Sequence, residues 1–104
     1  MATPRTEMLK SLLAQDPTNT FARYGLAMEY ANTGQSAEAV AEYRLLMANN
    51  PDYAAAYFHC GQTLERMGQL DEARATYQQG IDVTTRIGDL HTRSELQGAL
   101  DLLG

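Results

Sequence analysis

Nucleophilic or metal chemistry in this chain would have to start from His59, Cys60 and His91, its two histidines and its single cysteine. His59 and Cys60 are adjacent. Neighbours on a helix point about 100° apart, so the imidazole cannot serve the thiol as a base. Two separated histidines and one cysteine do not make the clustered ligand set that a metal needs. The acid pair Asp71-Glu72 falls in the first turn of a predicted helix, where negative charge suits the helix dipole, so it reads as structural rather than as an acid–base pair. No glycine-rich phosphate loop, HExxH, GxSxG or CxxC motif is present. No catalytic residue, metal ligand or cofactor is expected, and the chain reads as a non-enzyme. What is left is contact chemistry. Six Tyr, two Phe and five Met are side chains that bind by burying aromatic and apolar surface.

Composition bounds the partners. The 104 residues make one domain rather than two, with 44% hydrophobic and 20% charged residues. Thirteen acids against eight bases give a net charge of −5. An acidic chain without a basic run is a poor ligand for nucleic acid and for anionic membranes. A lone Cys60 excludes a disulfide within the chain. No apolar run approaches the roughly 18 residues of a membrane span, and the first residues show no secretory h-region. A cytoplasmic domain is expected.

The elements that must position these side chains show up as a repeat. Shifted by 34 residues, Gly34-Gln35-x-x-Glu38-Ala39-x-Ala41-x-Tyr43 falls on Gly68-Gln69-x-x-Glu72-Ala73-x-Ala75-x-Tyr77. Ala22 likewise falls on Ala56. Each unit reads as two helices. Thr18 and Asp52, each after a proline, are the expected N-caps of the first helices. Gly34 and Gly68 end those helices in the left-handed conformation, and the second helices start two or three residues later. The first helix, over 19–33, is apolar nearly all round and must touch protein on most sides. The helix over 70–86 carries one stripe, Leu70, Ala73, Tyr77 and Ile81, and should bury one face. Inner and outer helices repeated in this way give a curved stack whose concave side is lined by the first helices.

The pattern resembles the tetratricopeptide repeat (TPR), framed by W-x2-L-G-x2-Y, A-x3-F and P. One repeat over 20–53 supplies Arg23-x2-Leu26-Ala27-x2-Tyr30, Ala39-x3-Tyr43 and Pro51. A second over 54–87 supplies Tyr57-x2-Cys60-Gly61-x2-Leu64 and Ala73-x3-Tyr77, with Thr85 where proline is expected. Arg23 and Thr85 are the departures. The resemblance implies an all-α TPR-type α-solenoid of antiparallel helix hairpins, about six helices in a right-handed superhelical stack. Residues 4–15, opened by Thr3-Pro4, fit the second helix of a partial earlier repeat, with Met8, Leu9, Leu12 and Leu13 as its stripe. Asp89 caps a C-terminal capping helix over 89–103, with Leu96, Leu100 and Leu103 as its stripe.

The resemblance also sorts the aromatic residues. Tyr30, Tyr43, Tyr57 and Tyr77 fall on framework positions, and Cys60 stands where a buried Leu is usual. Phe21, Tyr24, Met28, Phe58 and Gln62 fall on inner-helix positions facing the groove, with His59 on the same side and Asn32, Glu65 and Arg66 at its rim. One subclass of the family grips a C-terminal carboxylate with Lys, Asn and Arg. The corresponding places here hold Tyr24, Met28 and His59, so that activity is not implied. The expected function is an adaptor or scaffold module that binds a peptide or partner-protein segment in the concave groove. The alternative is a structural homodimer formed through the apolar groove or by exchange of the N-terminal helix.

Overall fold

The computed structural model describes residues 3–104, which form six helices: α1 Pro4–Gln15, α2 Thr20–Asn32, α3 Ser36–Asn49, α4 Ala54–Arg66, α5 Leu70–Ile87 and α6 Leu90–Leu103. The helix ends explain the boundaries. Thr3 Oγ1 accepts from the Thr6 amide at 3.0 Å, and Pro4 occupies the first turn, where its missing N–H costs nothing. Asp89 Oδ1 accepts from the Thr92 amide at 3.1 Å and opens α6.

Thr18 and Asp52 do not cap. Pro17-Thr18 and Pro51-Asp52 are the central residues of tight turns, closed by Asn19 N–H to the Asp16 carbonyl (3.1 Å) and Tyr53 N–H to the Asn50 carbonyl (3.0 Å). Each helix therefore begins later than expected. Asn19 takes over the cap of α2 through the Ala22 amide at 3.0 Å. α4 opens after Tyr53 with no side-chain cap, and the carboxylate of Asp52 pairs with Arg86 at 2.6 Å.

The other ends share one device. Gly34, Gly68 and Gly88 stand at φ near +78° (79°, 77° and 77°). After each, the next amide reaches back five residues: Gln35 to Tyr30, Gln69 to Leu64 and Asp89 to Thr84, at 2.8 to 3.0 Å. These bonds satisfy carbonyls that the helix leaves open and turn the chain back on itself.

Consecutive helices pack side by side, and α4 also approaches α2 and α6. Among the described residues α3 and α5 make no such backbone approach, and their faces are bridged by the long side chains of Arg44 and Glu72 at 2.8 Å. The stack therefore closes along α2, α4 and α6 and opens along α3 and α5. Its shortest dimension, 18 Å, is about two helix diameters, so it has an inner and an outer layer.

The layers meet through small residues and rings. Ala22, Ala27, Ala39, Ala56 and Ala73 are wholly buried, as are Tyr43 and Tyr77. A β-carbon on Gly61 would lie 2.6 Å from Cδ1 of Tyr77, and one on Gly80 would lie 2.7 Å from Cβ of Tyr57 and 2.8 Å from a methyl of Leu96. Two members of the expected stripes stay wet. Leu70 is 43% exposed and Met8 52%, whereas Ala73, Tyr77, Ile81, Leu9 and Leu96 are buried.

Both departures from the repeat frame have a physical account. Tyr57 donates its hydroxyl to the Pro51 carbonyl at 2.7 Å. Arg23, 34 residues earlier, donates to the Pro17 carbonyl at 3.2 Å and pairs with Glu42 at 2.6 Å, both side chains being largely buried. Each residue thus ties the proline turn before its own helix to that helix. Thr85, where proline would end the helix, lets α5 run on to Ile87. Its hydroxyl donates to the Ile81 carbonyl (2.7 Å) and accepts from Arg93 of α6 (2.8 Å).

Two glycine substitutions check this packing. Gly98 lies in α6 with nothing within 4 Å of a β-carbon, so Gly98→Ala should stabilise by about 0.5–1 kcal/mol through helix propensity alone. Gly61→Ala gains the same propensity but drives into a buried ring. It should lose about 1–3 kcal/mol net and lower Tm by several degrees in a calorimetric melt. A Gly61→Ala protein as stable as Gly98→Ala would mean that α4 and α5 do not approach so closely.

Candidate functional site: the face of α2, α4 and α6

The inner helices bring a chain of rings together around His59. Its imidazole lies 5.9 Å from the Tyr24 ring, 5.5 Å edge-on from Phe58, and 6.5 Å from Tyr43 in a stacked orientation. Tyr24 extends the chain to Tyr53 at 5.2 Å, and Phe58 extends it to Tyr77 at 6.5 Å. Such separations and tilts suit aromatic attraction. Met28, one turn beyond Tyr24, takes the hydroxyl of Tyr43 on its sulfur at 3.0 Å. Tyr24, Met28, Phe58 and His59 are all half-buried, with one side packed on the core cluster.

The remaining expected residues stand around this network. Phe21 is 71% exposed at the start of α2. Asn32, Gln62 and Arg66 are exposed, and Glu65 is half-buried because its carboxylate takes the Tyr77 hydroxyl. Gln62, Glu65 and Arg66 line a shallow cavity of about 280 Å³. Three contributors escaped the sequence reading. Tyr53 precedes α4 in a turn, Tyr43 belongs to the outer layer yet reaches through to His59 and Met28, and Glu95 of α6 acts electrostatically on His59. Position in the repeat hinted at Tyr43, whose ring must cross the small residue of the paired helix. Nothing in the local sequence marks Glu95.

Burial pulls the His59 pKa below its ordinary 6.5; Glu95 raises it in part and Arg66 lowers it further. The imidazole is therefore neutral at physiological pH. Burial likewise pushes the Tyr43 and Tyr77 hydroxyls up, and the Glu65 carboxylate adds to the effect on Tyr77. Both stay protonated donors. Cys60 is wholly buried and its thiol is pushed up to about 11, chiefly by burial. His91 sits on the surface beside Glu95 at 3.8 Å. Among the described residues no three His, Cys, Asp or Glu side chains could hold a metal, and no helix is long and apolar enough to cross a membrane.

The depressed His59 pKa has a consequence for stability. The unfolded chain binds a proton near pH 6.5 and the folded chain only below it, so stability is retained above about 6.5 and falls as pH drops through that value. Between about pH 7.5 and about pH 5.5 the wild-type Tm should decline more than that of His59→Gln, because the variant lacks the buried imidazole. Parallel melts across that range measure it, and equal declines would show that His59 ionises as freely folded as unfolded.

Residues 34–85 match the tetratricopeptide repeat family. A TPR repeat-containing protein of Pseudomonas aeruginosa is 27% identical over 90 residues, spanning 86% of this chain and 86% of that protein. The tetratricopeptide repeat domain protein of Salinibacter ruber, solved by NMR, is 38% identical and superposes with a TM-score of 0.79 over 85% of this chain and 89% of that one. The type III secretion translocator chaperone SycD of Yersinia enterocolitica shares the fold at 16% identity, with a TM-score of 0.86 over 94% of this chain and 68% of its own. Repeats of this fold are protein–protein interaction modules. The matched half of the sequence, the six-helix TPR-type solenoid and these relatives agree, and the chain belongs to the tetratricopeptide repeat family.

Proposed function

We propose that the chain is an interaction module that holds a peptide or a segment of a partner protein against the face of α2, α4 and α6. In this reading repeat one spans 20–53, repeat two spans 54–87, residues 4–15 close the stack on one side and residues 89–103 close it on the other. The observation that carries the proposal is the row Phe21, Tyr24, Met28 and Phe58. These are apolar side chains on inner helices, one of them 71% exposed and the others half-buried, where nothing in the stacking of helix on helix demands exposed aromatic surface. Tyr and Phe on such a face are the usual anchors of a protein contact. The inner positions contain no nucleophile–base pair, so binding without catalysis is the activity proposed.

A second reading is self-association. Leu90 is 71% exposed and Leu102 91% exposed on α6, and a second copy could cover them together with Phe21. The Yersinia chaperone has been crystallised as an alternative dimer, at 19% identity to this chain.

Site-specific photo-crosslinking tests both. A photoreactive phenylalanine replaces Phe21 on the inner face, and in a second protein it replaces Gln79 on the outer face, both exposed. In lysate the probe at 21 should give a discrete heteromeric adduct that the probe at 79 does not. Equal adducts from the two positions would defeat the groove reading. An adduct of twice the chain mass from purified protein would favour the second copy.

A further inference from the structure

The bases of this chain are nearly all spoken for. Arg5, Arg23, Arg44, Arg74 and Arg86 each pair with a carboxylate, Lys10 lies 5.9 Å over the Tyr30 ring, and Arg93 donates to Thr85. Arg66 differs. Among the described residues it has no carboxylate within ion-pair distance, and its one hydrogen bond, to Thr63 Oγ1, is long at 3.4 Å. It stands at the end of α4, exposed, lining the cavity with Gln62 and Glu65. His59, Gln62 and Arg66 follow one another at i, i+3 and i+7 along one face of α4, which places the guanidinium on the side of the ring network. The nearest acid on its own helix, Glu65, is engaged by the Tyr77 hydroxyl.

We infer that the segment held on this face carries one acidic side chain, Asp or Glu, that pairs with Arg66, next to apolar residues that cover Tyr24, Met28 and Phe58. The inference rests on the function proposed above and specifies the occupant's chemistry. A partner that covers the half-buried rings also covers Arg66, and a guanidinium taken out of water without an anion is costly. An acid on the partner removes that cost and fixes the register of the segment. The acid is single because the surroundings are not basic. The chain carries −5 overall and the Glu95 carboxylate of α6 acts on His59 of this face, so an acidic run would be repelled. A carboxylate supplied by a chain terminus is a different source, and the probe excludes it.

The probe is a library of random short segments displayed with both ends fused, so that no free terminus is presented. It is selected against the intact wild-type chain, Arg66→Glu, and Phe21→Ser with Phe58→Ala. Circular dichroism melts confirm that each variant is folded. Wild type should enrich one Asp or Glu at a constant spacing from an apolar cluster, and Arg66→Glu should enrich Lys or Arg there instead. Changing that acid to Ala in a selected segment should weaken binding by about tenfold or more. Apolar segments without a charge preference, or an acid still selected by Arg66→Glu, would overturn this inference and leave the groove reading standing. Segments whose binding survives Phe21→Ser with Phe58→Ala would overturn the groove reading as well. No enrichment would sink both, and a doubled mass in size exclusion would then identify a second copy as the occupant.

Discussion

The ring of Tyr77 occupies the space that a β-carbon on Gly61 would need, and the rest of the molecule depends on that contact. It lets the inner and outer helices of one hairpin approach until the ring is wholly buried. Close-packed interiors do not forgive an extra methyl at such a point. The same ring works on the opposite side. Its hydroxyl engages Glu65 and its ring lies 6.5 Å from that of Phe58 in a tilted pair, so two side chains of the inner face are held by one residue of the outer layer. Ala27 and Tyr43 stand 34 residues earlier, also fully buried, and the Tyr43 hydroxyl reaches Met28. In both repeats a tyrosine passes through the hairpin and shapes the surface behind it.

The framework was readable in the sequence because its signals are local and recur. A glycine after an apolar stretch, a small residue opposite a tyrosine, and Thr3-Pro4 or Asp89 before a helix each act within a few residues. The caps at Thr18 and Asp52 were misread for an equally local reason. A residue that follows proline can be the second centre of a turn as easily as a cap, and the turn won in both places. The site was less readable. His59 looked like one residue among several on an inner helix. The rings around it come from α2, α3 and α4, an acid of α6 acts on it, and no window of sequence contains them all. Glu95 escaped because Thr85 replaces the helix-ending proline and shifts α6 along the chain.

The departures from the repeat frame show what the frame requires. At position 23 an arginine meets the need that a tyrosine meets at position 57, a donor that reaches the proline carbonyl six residues back. The frame asks for a long side chain with a polar tip, and the ring is one way to supply it. The added charge brings a partner with it, since Glu42 neutralises Arg23 where both are shielded from water. Along the outer layer, Arg44 with Glu72 and Arg86 with Asp52 join successive units through exposed pairs, each worth little by itself. Hydrophobic burial therefore holds the inner edge, and screened charges span the outer one.

The burial of Cys60 has a practical side. With its thiol at about 11, on the order of one molecule in a thousand carries the thiolate at pH 8, and the wholly buried sulfur meets no reagent even then. The chain has no other cysteine. It should therefore resist air oxidation and thiol-directed dyes without a substituted background. A cysteine introduced at an exposed place such as Gln79 would be the single point of attachment for a fluorophore or spin label, ready for distance measurements across the stack.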